Sequence, residues 1–351
     1  MAFQIRVEPS GHVFEANAGE SVLDAALRHG LIMPYGCRSG ACGACRGKVL
    51  SGEVDHGETQ EFALSKADRA TGQALFCCAS AQSDLVIEAR ELHSSQDIPV
   101  KTLPAKVQKL TRVSPEVMLV ELKLPASERL QFMAGQYIEI LLKGGARRAF
   151  SLANAPHDDS CLQLHVRLIP GGQFTEHVFN GMKERDLLRI NGPHGSFFLR
   201  EDSAKPMLLI AGGTGFAPIK AIVEHAIAEG SKRPMALYWG ARSKDDLYLR
   251  ALAEQWAQNH DHIRFVPVLS DSPESDHWQG RTGLVHRAAM HDFPDLSGHQ
   301  VYVCGSPAMV AAARGDFVGQ CHLTENDFFA DSFEFANDKA RTPQLPENSS
   351  D

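Results

Sequence analysis

Eight cysteines occur in this chain of 351 residues, and five of them fall between residues 37 and 78. Three close up as Cys37-x4-Cys42-x2-Cys45 within the segment Pro34–Gly47, and Cys77-Cys78 follow after 31 further residues. This is the C-x4-C-x2-C…C ligand spacing of a [2Fe–2S] cluster held by four thiolates. Such a loop must turn sharply and aim backbone N–H groups at the cluster sulfurs. Gly36, Gly40, Gly43 and Gly47 permit both, and Ala41 and Ala44 keep neighbouring side chains small. Two other chemistries compete for these residues. Cys42-Gly43-Ala44-Cys45 taken alone is the C-x-x-C of a redox-active dithiol, but that motif opens a helix, and this one lies in a Gly-rich loop behind a third cysteine. Structural zinc prefers paired C-x2-C knuckles, whereas Cys77 and Cys78 are adjacent.

The loop needs a frame, and hydrophobic periodicity supplies one. Phe3–Val7 and His12–Ala16 alternate as a hairpin does, Glu20–His29 has helical spacing ahead of Gly30, and Asp84–Glu88 reads as a strand. Residues 1–92 are thus expected to form a small α+β unit, with a polar linker over Glu91–Pro99. Residues 100–202 read as all-β, with runs at 105–110, 117–124, 137–142, 149–152, 162–168 and 187–191 between Gly and Pro turns, which implies an antiparallel barrel. Residues 203–336 alternate buried-type strands with helices: strands at 207–210, 235–239, 263–269 and 301–304, helices at 218–229, 247–259 and 307–315. That is the pattern of a parallel doubly wound sheet. The stretch 337–351 has the composition of a disordered tail.

Composition limits the function. With 43% apolar and 22% charged residues, the chain is neither disordered, collagen-like nor a coiled coil. Its 35 basic and 43 acidic residues give a net charge of −8, so nucleic acid and anionic membranes are excluded as main partners. No apolar run approaches the ~20 residues of a membrane helix, and the start lacks the basic and apolar regions of a secretory signal. A cytoplasmic protein is expected, in which clustered cysteines mean metal or redox chemistry rather than disulfides.

Further motifs carry a resemblance. Arg148-Ala149-Phe150-Ser151 matches R-x-Y-S with Phe for Tyr, and Gly135-Gln136-Tyr137 precedes it. Gly171-Gly172-x-x-Thr175 matches G-G-x-x-S/T, and Asn191-Gly192-Pro193-x-Gly195-x-Phe197 matches G-P-x-G-x-F. Ala211–Pro218 contains G-G-T-G-x-A-P, and Cys304-Gly305-Ser306-Pro307 is C-G-x-P. On these motifs the chain resembles the ferredoxin–NADP reductase superfamily with a fused N-terminal plant-type ferredoxin, over residues 1 to about 335. Oxygenase reductase components and CDP-6-deoxy-glucoseen reductases share this arrangement.

The resemblance implies a β-grasp ferredoxin domain, an FAD barrel and an NAD(P)H domain. It implies cluster ligands Cys37, Cys42, Cys45 and, by likeness of Leu75–Ile87 to the ferredoxin stretch, Cys77 rather than Cys78. For FAD it implies Arg148 on the pyrophosphate, Phe150 against the ring and Ser151 at N5. Ala149, His165-Val166-Arg167 and Gly171, Gly172 and Thr175 would complete that site. Gly213, Thr214, Gly215 and Pro218 would meet the nicotinamide nucleotide at a helix N-terminus, with Cys304, Gly305, Ser306 and Pro307 beside the reacting centres. Ser151 and Cys304 are the catalytic candidates. Phe333 is favoured over Phe335 as the aromatic covering the flavin.

Bland readings stand beside these: a solvated arginine at 148, a plain turn at Gly171-Gly172, a packed cysteine at 304. NADH is slightly favoured over NADPH. Arg242 and Lys244 suit a 2′-phosphate, while Asp245 and Asp246 oppose it. The expected activity passes electrons from NAD(P)H through FAD and the cluster to an acceptor protein, an oxygenase component first and a deoxysugar dehydrase second. A redox sensor or pure electron carrier is the alternative of another class. Residues 1–95 hold 12 acidic and 8 basic residues, hence −4, which does not identify the partner.

Overall fold

Strand β1 (Ala2–Glu8) buries Ile5 and Val7 on one face and returns antiparallel through β2 (Val13–Asn17), with Ile5 opposite Phe14. Helix α1 (Val22–Arg28) packs Val22, Leu23, Ala25 and Ala26 into the same core. There follow β3 (Arg46–Ser51), β4 (Val54–Asp55), α2 (Lys66–Ala70), β5 (Gln73–Leu75), β6 (Ser80–Ala81) and β7 (Leu85–Glu88). The sheet order is β2-β1-β7-β3-β5, with β7 parallel to β1 and antiparallel to β3, so the sheet is mixed. The elements over 46–81 left no periodic signal because most are two to five residues long. The computed structural model describes residues 2–333 except 30, 32, 36–38, 92–97, 126–127, 129, 159 and 272–276. Cys37, Gly36, most of the expected linker, Phe335 and the expected tail therefore lie outside the described residues.

The second unit comprises β8 (Lys101–Ser114), β9 (Val117–Lys123), β10 (Tyr137–Leu141), β11 (Arg147–Ser151), β12 (Leu162–Arg167), α3 (Gln173–Asn180) and β13 (Leu187–His194). Its antiparallel order is β11-β10-β13-β8-β9-β12, and a Leu152–Leu164 bridge joins the ends, closing a barrel. Alternate residues, among them Val107, Ile138, Ile140, Leu164 and Val166, fill the interior. The β8 strand begins before the expected 105, and Pro104 lies within it, opposite Arg189. Pairing to β9 starts only at Lys106, so at Pro104 the strand has one neighbour and the missing N–H removes no second ladder bond.

The third unit is β14 (Met207–Gly212), α4 (Phe216–Ala228), β15 (Met235–Ala241), α5 (Arg250–Asn259), β16 (Ile263–Leu269), β17 (Arg281–Thr282), α6 (Val285–Asp292), β18 (Gln300–Gly305), α7 (Pro307–Gln320) and β19 (Phe328–Ser332). All pairs are parallel in the order β17-β16-β15-β14-β18-β19. Met207 to Ala211 are all buried, because helices cover both faces of the sheet. The α6 helix was not expected: only Val285, His286 and Ala289 of its eight residues are buried, too few for a clear apolar stripe. No helix among the described residues is long and apolar enough to cross a membrane.

Candidate functional site

The mixed sheet brings separated cysteines together. Arg46 pairs with Leu75 across β3 and β5, and Phe76 N–H donates to Cys45 O at 3.1 Å, so Cys45 and Cys77 lie at one end of the sheet. Cys42 and Cys45 are buried and Cys77 is half-buried. Ala44 N–H donates to Cys42 Sγ at 3.5 Å, the kind of contact a thiolate-rich loop requires. Gly40 (φ 77°) has the left-handed backbone expected of the loop, and a Cβ there would lie 2.6 Å from Glu58 O. Gly47 serves another end: a Cβ there would strike the Phe76 ring at 2.2 Å. The Cys77 and Cys78 sulfurs are 3.6 Å apart, so both reach this region.

The loop is fastened to the barrel. Ser196 Oγ donates to Tyr35 O at 2.6 Å and accepts from Tyr35 N–H. Ser196 N–H donates to the same carbonyl at 3.2 Å, and Gly195 N–H donates to the Tyr35 hydroxyl at 3.1 Å. The G-P-x-G-x-F turn therefore holds the cysteine loop. From the third unit, Arg314 of α7 lies over the Phe328 ring at 4.6 Å, pairs with Glu325 and sits within electrostatic reach of Cys42.

At the barrel edge, Phe150 lies opposite Ile138 and packs on Phe174 with ring centroids 5.3 Å apart. Arg148 is on the same face as Phe150, and Ala149 and Ser151 are on the other. Ser151 Oγ is buried and has no hydrogen-bond partner. The α3 helix starts after Gly172 with no side-chain cap from that residue, and Gly171 N–H donates to Glu176 Oε1 of the first turn at 2.7 Å. Gly171 (φ 79°) has open space at its Cβ position. The Thr175 hydroxyl bonds Ile169 N–H at 3.1 Å and so closes the turn. On β12, Val166 points into the barrel core and can offer only backbone. His165 and Arg167 face the third unit. His165 Nδ1 is 2.8 Å from the Tyr248 hydroxyl, and burial, with Lys220 nearby, holds its pKa well below the usual histidine range, so it is neutral.

Between barrel and third unit lies a cleft of about 470 Å³. It is lined by Arg167, Gly213, Thr214, Arg242, Gly305, Ser306 and Phe333 among the expected residues, joined by Tyr248. Phe333 is placed there by β19, and its N–H donates to Gly305 O at 2.9 Å. Gly215, Pro218 and Cys304 are buried and Pro307 is half-buried, and none of the four lines the cleft. Cys304 is wholly buried, and that burial, with Asp331 beside it, raises its pKa well above the usual thiol range, so the thiol stays protonated. A Cβ on Gly215 would lie 2.1 Å from Cys304 O. The Trp239 indole N–H donates to Gly213 O at 2.9 Å and fixes the turn. Gly215→Ala is therefore expected to push the turn off β18 and lower stability by about 1–3 kcal/mol, as read by thermal unfolding.

Comparison with known proteins assigns a family to each of the three units. Residues 5–82 match the 2Fe-2S iron-sulfur cluster binding domain, 104–199 the oxidoreductase FAD-binding domain and 209–315 the oxidoreductase NAD-binding domain. A CDP-6-deoxy-L-threo-D-glycero-4-hexulose-3-dehydrase reductase of Yersinia pseudotuberculosis is 40% identical over 95% of this chain and 99% of its own. The phenol 2-monooxygenase reductase component of a Pseudomonas species is 37% identical over 97% of each. The crystal structure of an Amycolatopsis cytochrome P450 reductase superposes with a TM-score of 0.74 at 38% identity, covering 94% of this chain and 98% of that one.

The chain belongs to the ferredoxin–NADP reductase family, in the branch with an N-terminal [2Fe–2S] ferredoxin domain. The reductase is an NAD(P)H-dependent oxidoreductase whose cofactors are FAD and a [2Fe–2S] cluster. Its residues fit these groups. The Ser151 hydroxyl is buried with no protein partner, the glycine turn before α3 has open space at Gly171, and the cysteine loop already offers N–H to sulfur. Sequence reasoning missed Tyr35, Ser196, Tyr248 and Glu116, each of which acts through a partner far away in the chain.

Proposed function

We propose that the reductase oxidises NADH and delivers single electrons to the oxygenase component of a multicomponent enzyme. When bound, FAD supplies the change from two-electron to one-electron transfer and the cluster carries electrons singly. Support for the internal route comes above all from Tyr35 and Ser196, which join the cysteine loop to the barrel turn through buried hydrogen bonds. Arg148 and the turn before α3, with Gly171 and Gly172, would hold the FAD pyrophosphate. Phe150 would supply an apolar face, Ser151 Oγ a hydrogen bond for flavin N5, and Phe333 a cover for the ring. Gly213, Thr214, Gly305 and Ser306 admit the nicotinamide nucleotide, and the neutral Cys304 backs its reacting end. The working domain boundaries are 1–92, 100–202 and 203–336.

Cys37, Cys42, Cys45 and Cys77 are the proposed ligands. Cys77→Ser is expected to lose the cluster and Cys78→Ser to keep it, as read by iron and acid-labile sulfide content. The reverse result would move the fourth ligand to Cys78.

A second acceptor, a sugar dehydrase, is favoured by the likeness to the Yersinia dehydrase reductase. Affinity capture with the FAD- and cluster-loaded chain, followed by NADH-driven reduction of the captured protein, separates the two. An iron-containing oxygenase component supports the first reading, and a sugar dehydrase replaces it.

A further inference from the structure

We propose that Glu116 sets coenzyme choice, by occupying Arg242 and placing a carboxylate where the 2′-phosphate of NADPH would sit. The inference rests on the reading of the cleft as the nicotinamide nucleotide site with NADH preferred.

Glu116 belongs to the barrel, in the turn between β8 and β9, yet it reaches across to the third unit. One carboxylate oxygen, Oε2, accepts from Arg167 Nη2 at 2.8 Å, Arg167 Nε at 3.2 Å and Arg242 Nη2 at 2.9 Å. Arg242 and Arg167 both line the cleft, and so does Val117, next to Glu116 in sequence. Arg242 follows the end of β15, the second strand of the doubly wound sheet, where such folds place the adenosine ribose. In that setting an arginine accommodates a 2′-phosphate, and an acidic residue accepts from a 2′-hydroxyl. Here the arginine is already held. Asp246 adds a second negative charge at 3.8 Å from Arg242 Nε and is itself fixed by Ser243 N–H and Oγ at 3.1 and 3.0 Å.

The ion pairs are exposed, and surface pairs contribute little to stability. Their effect is on selection. An incoming 2′-phosphate must displace Glu116 from Arg242 and still sit beside two carboxylates. A 2′-hydroxyl needs no displacement and can donate to Glu116. Selection by a repulsive element is an ordinary device where one added group separates two ligands.

The test uses the FAD-loaded full chain and two probes, 5′-AMP and 2′,5′-ADP, with dissociation constants measured by calorimetry. Glu116→Gln is expected to raise the affinity for 2′,5′-ADP relative to 5′-AMP by about tenfold or more, equivalent to about 1.4 kcal/mol. In Glu116→Gln/Arg242→Ala the gain should vanish. The NADPH to NADH ratio of kcat/KM should move in parallel. An unmoved probe ratio in Glu116→Gln, or an equal gain in the double variant, would overturn the role of Glu116. Wild-type protein binding 2′,5′-ADP more tightly than 5′-AMP would instead sink the NADH reading, and the two failures are thereby distinguishable.

Discussion

Cys45→Ser is expected to abolish NADH-driven cytochrome c reduction while NADH–ferricyanide turnover survives. Cys45 is buried, lies at the start of β3 and is tied by its carbonyl to Phe76 beside Cys77. Serine offers a harder and far less acidic donor, so the cluster should be lost or misassembled. Changes even outside the ligand set cost about 10–100-fold in metal sites, so removal of a ligand should exceed about a hundredfold in cytochrome c reduction. Ferricyanide accepts electrons at the flavin and needs only the barrel and nucleotide units. Their cores, around Ile138 and Leu164 and around Leu209 and Trp239, share no residue with the first unit's core. Loss of both activities would show that the flavin module depends on the cluster module, against the separation of cores.

Ser151→Ala should slow flavin reduction by NADH by about a hundredfold, the lower end of what one preorganised donor to a reacting atom supplies. The Ser151 hydroxyl is buried without a protein partner, and leaving such a group unsatisfied costs about 1–3 kcal/mol. Its removal should therefore leave the flavin-free protein at least as stable, which thermal unfolding reads independently of activity. FAD content should hold, because Arg148 and the turn before α3 are untouched. Stopped-flow reduction at the wild-type rate would remove the N5 role. Lost FAD would make Ser151 a binding residue instead.

The cysteine spacing and the glycine motifs were legible because each encodes its chemistry within a few consecutive residues. Gly215 shows why: the contact that demands glycine is to Cys304 O, but the turn that places it is local. The contacts that join the units were not legible. Tyr35 and Ser196 are 161 residues apart, and Glu116 and Arg242 are 126 apart. Each lies in a turn or loop outside the periodic runs, and neither sequence stretch shows its partner. His165 was singled out by motif, but its neighbour Tyr248 was not: it fell in the helix expected over 247–259, whereas α5 starts only at Arg250 and Tyr248 lies between a short 3₁₀ turn and that helix. Pro104 misplaced a strand end because a proline usually stops a strand, and only the pairing showed that β8 has one neighbour there.

The central claim is that electrons enter from NADH at the flavin and leave through the cluster. Anaerobic stopped-flow mixing of the FAD- and cluster-loaded reductase with NADH, with rapid-freeze electron paramagnetic resonance, tests it most directly. Bleaching of the flavin band should come first, followed by the signal of a reduced [2Fe–2S] centre, before any outside acceptor is added. A flavin that is reduced while the cluster stays oxidised, or a cluster reduced ahead of the flavin, would contradict it.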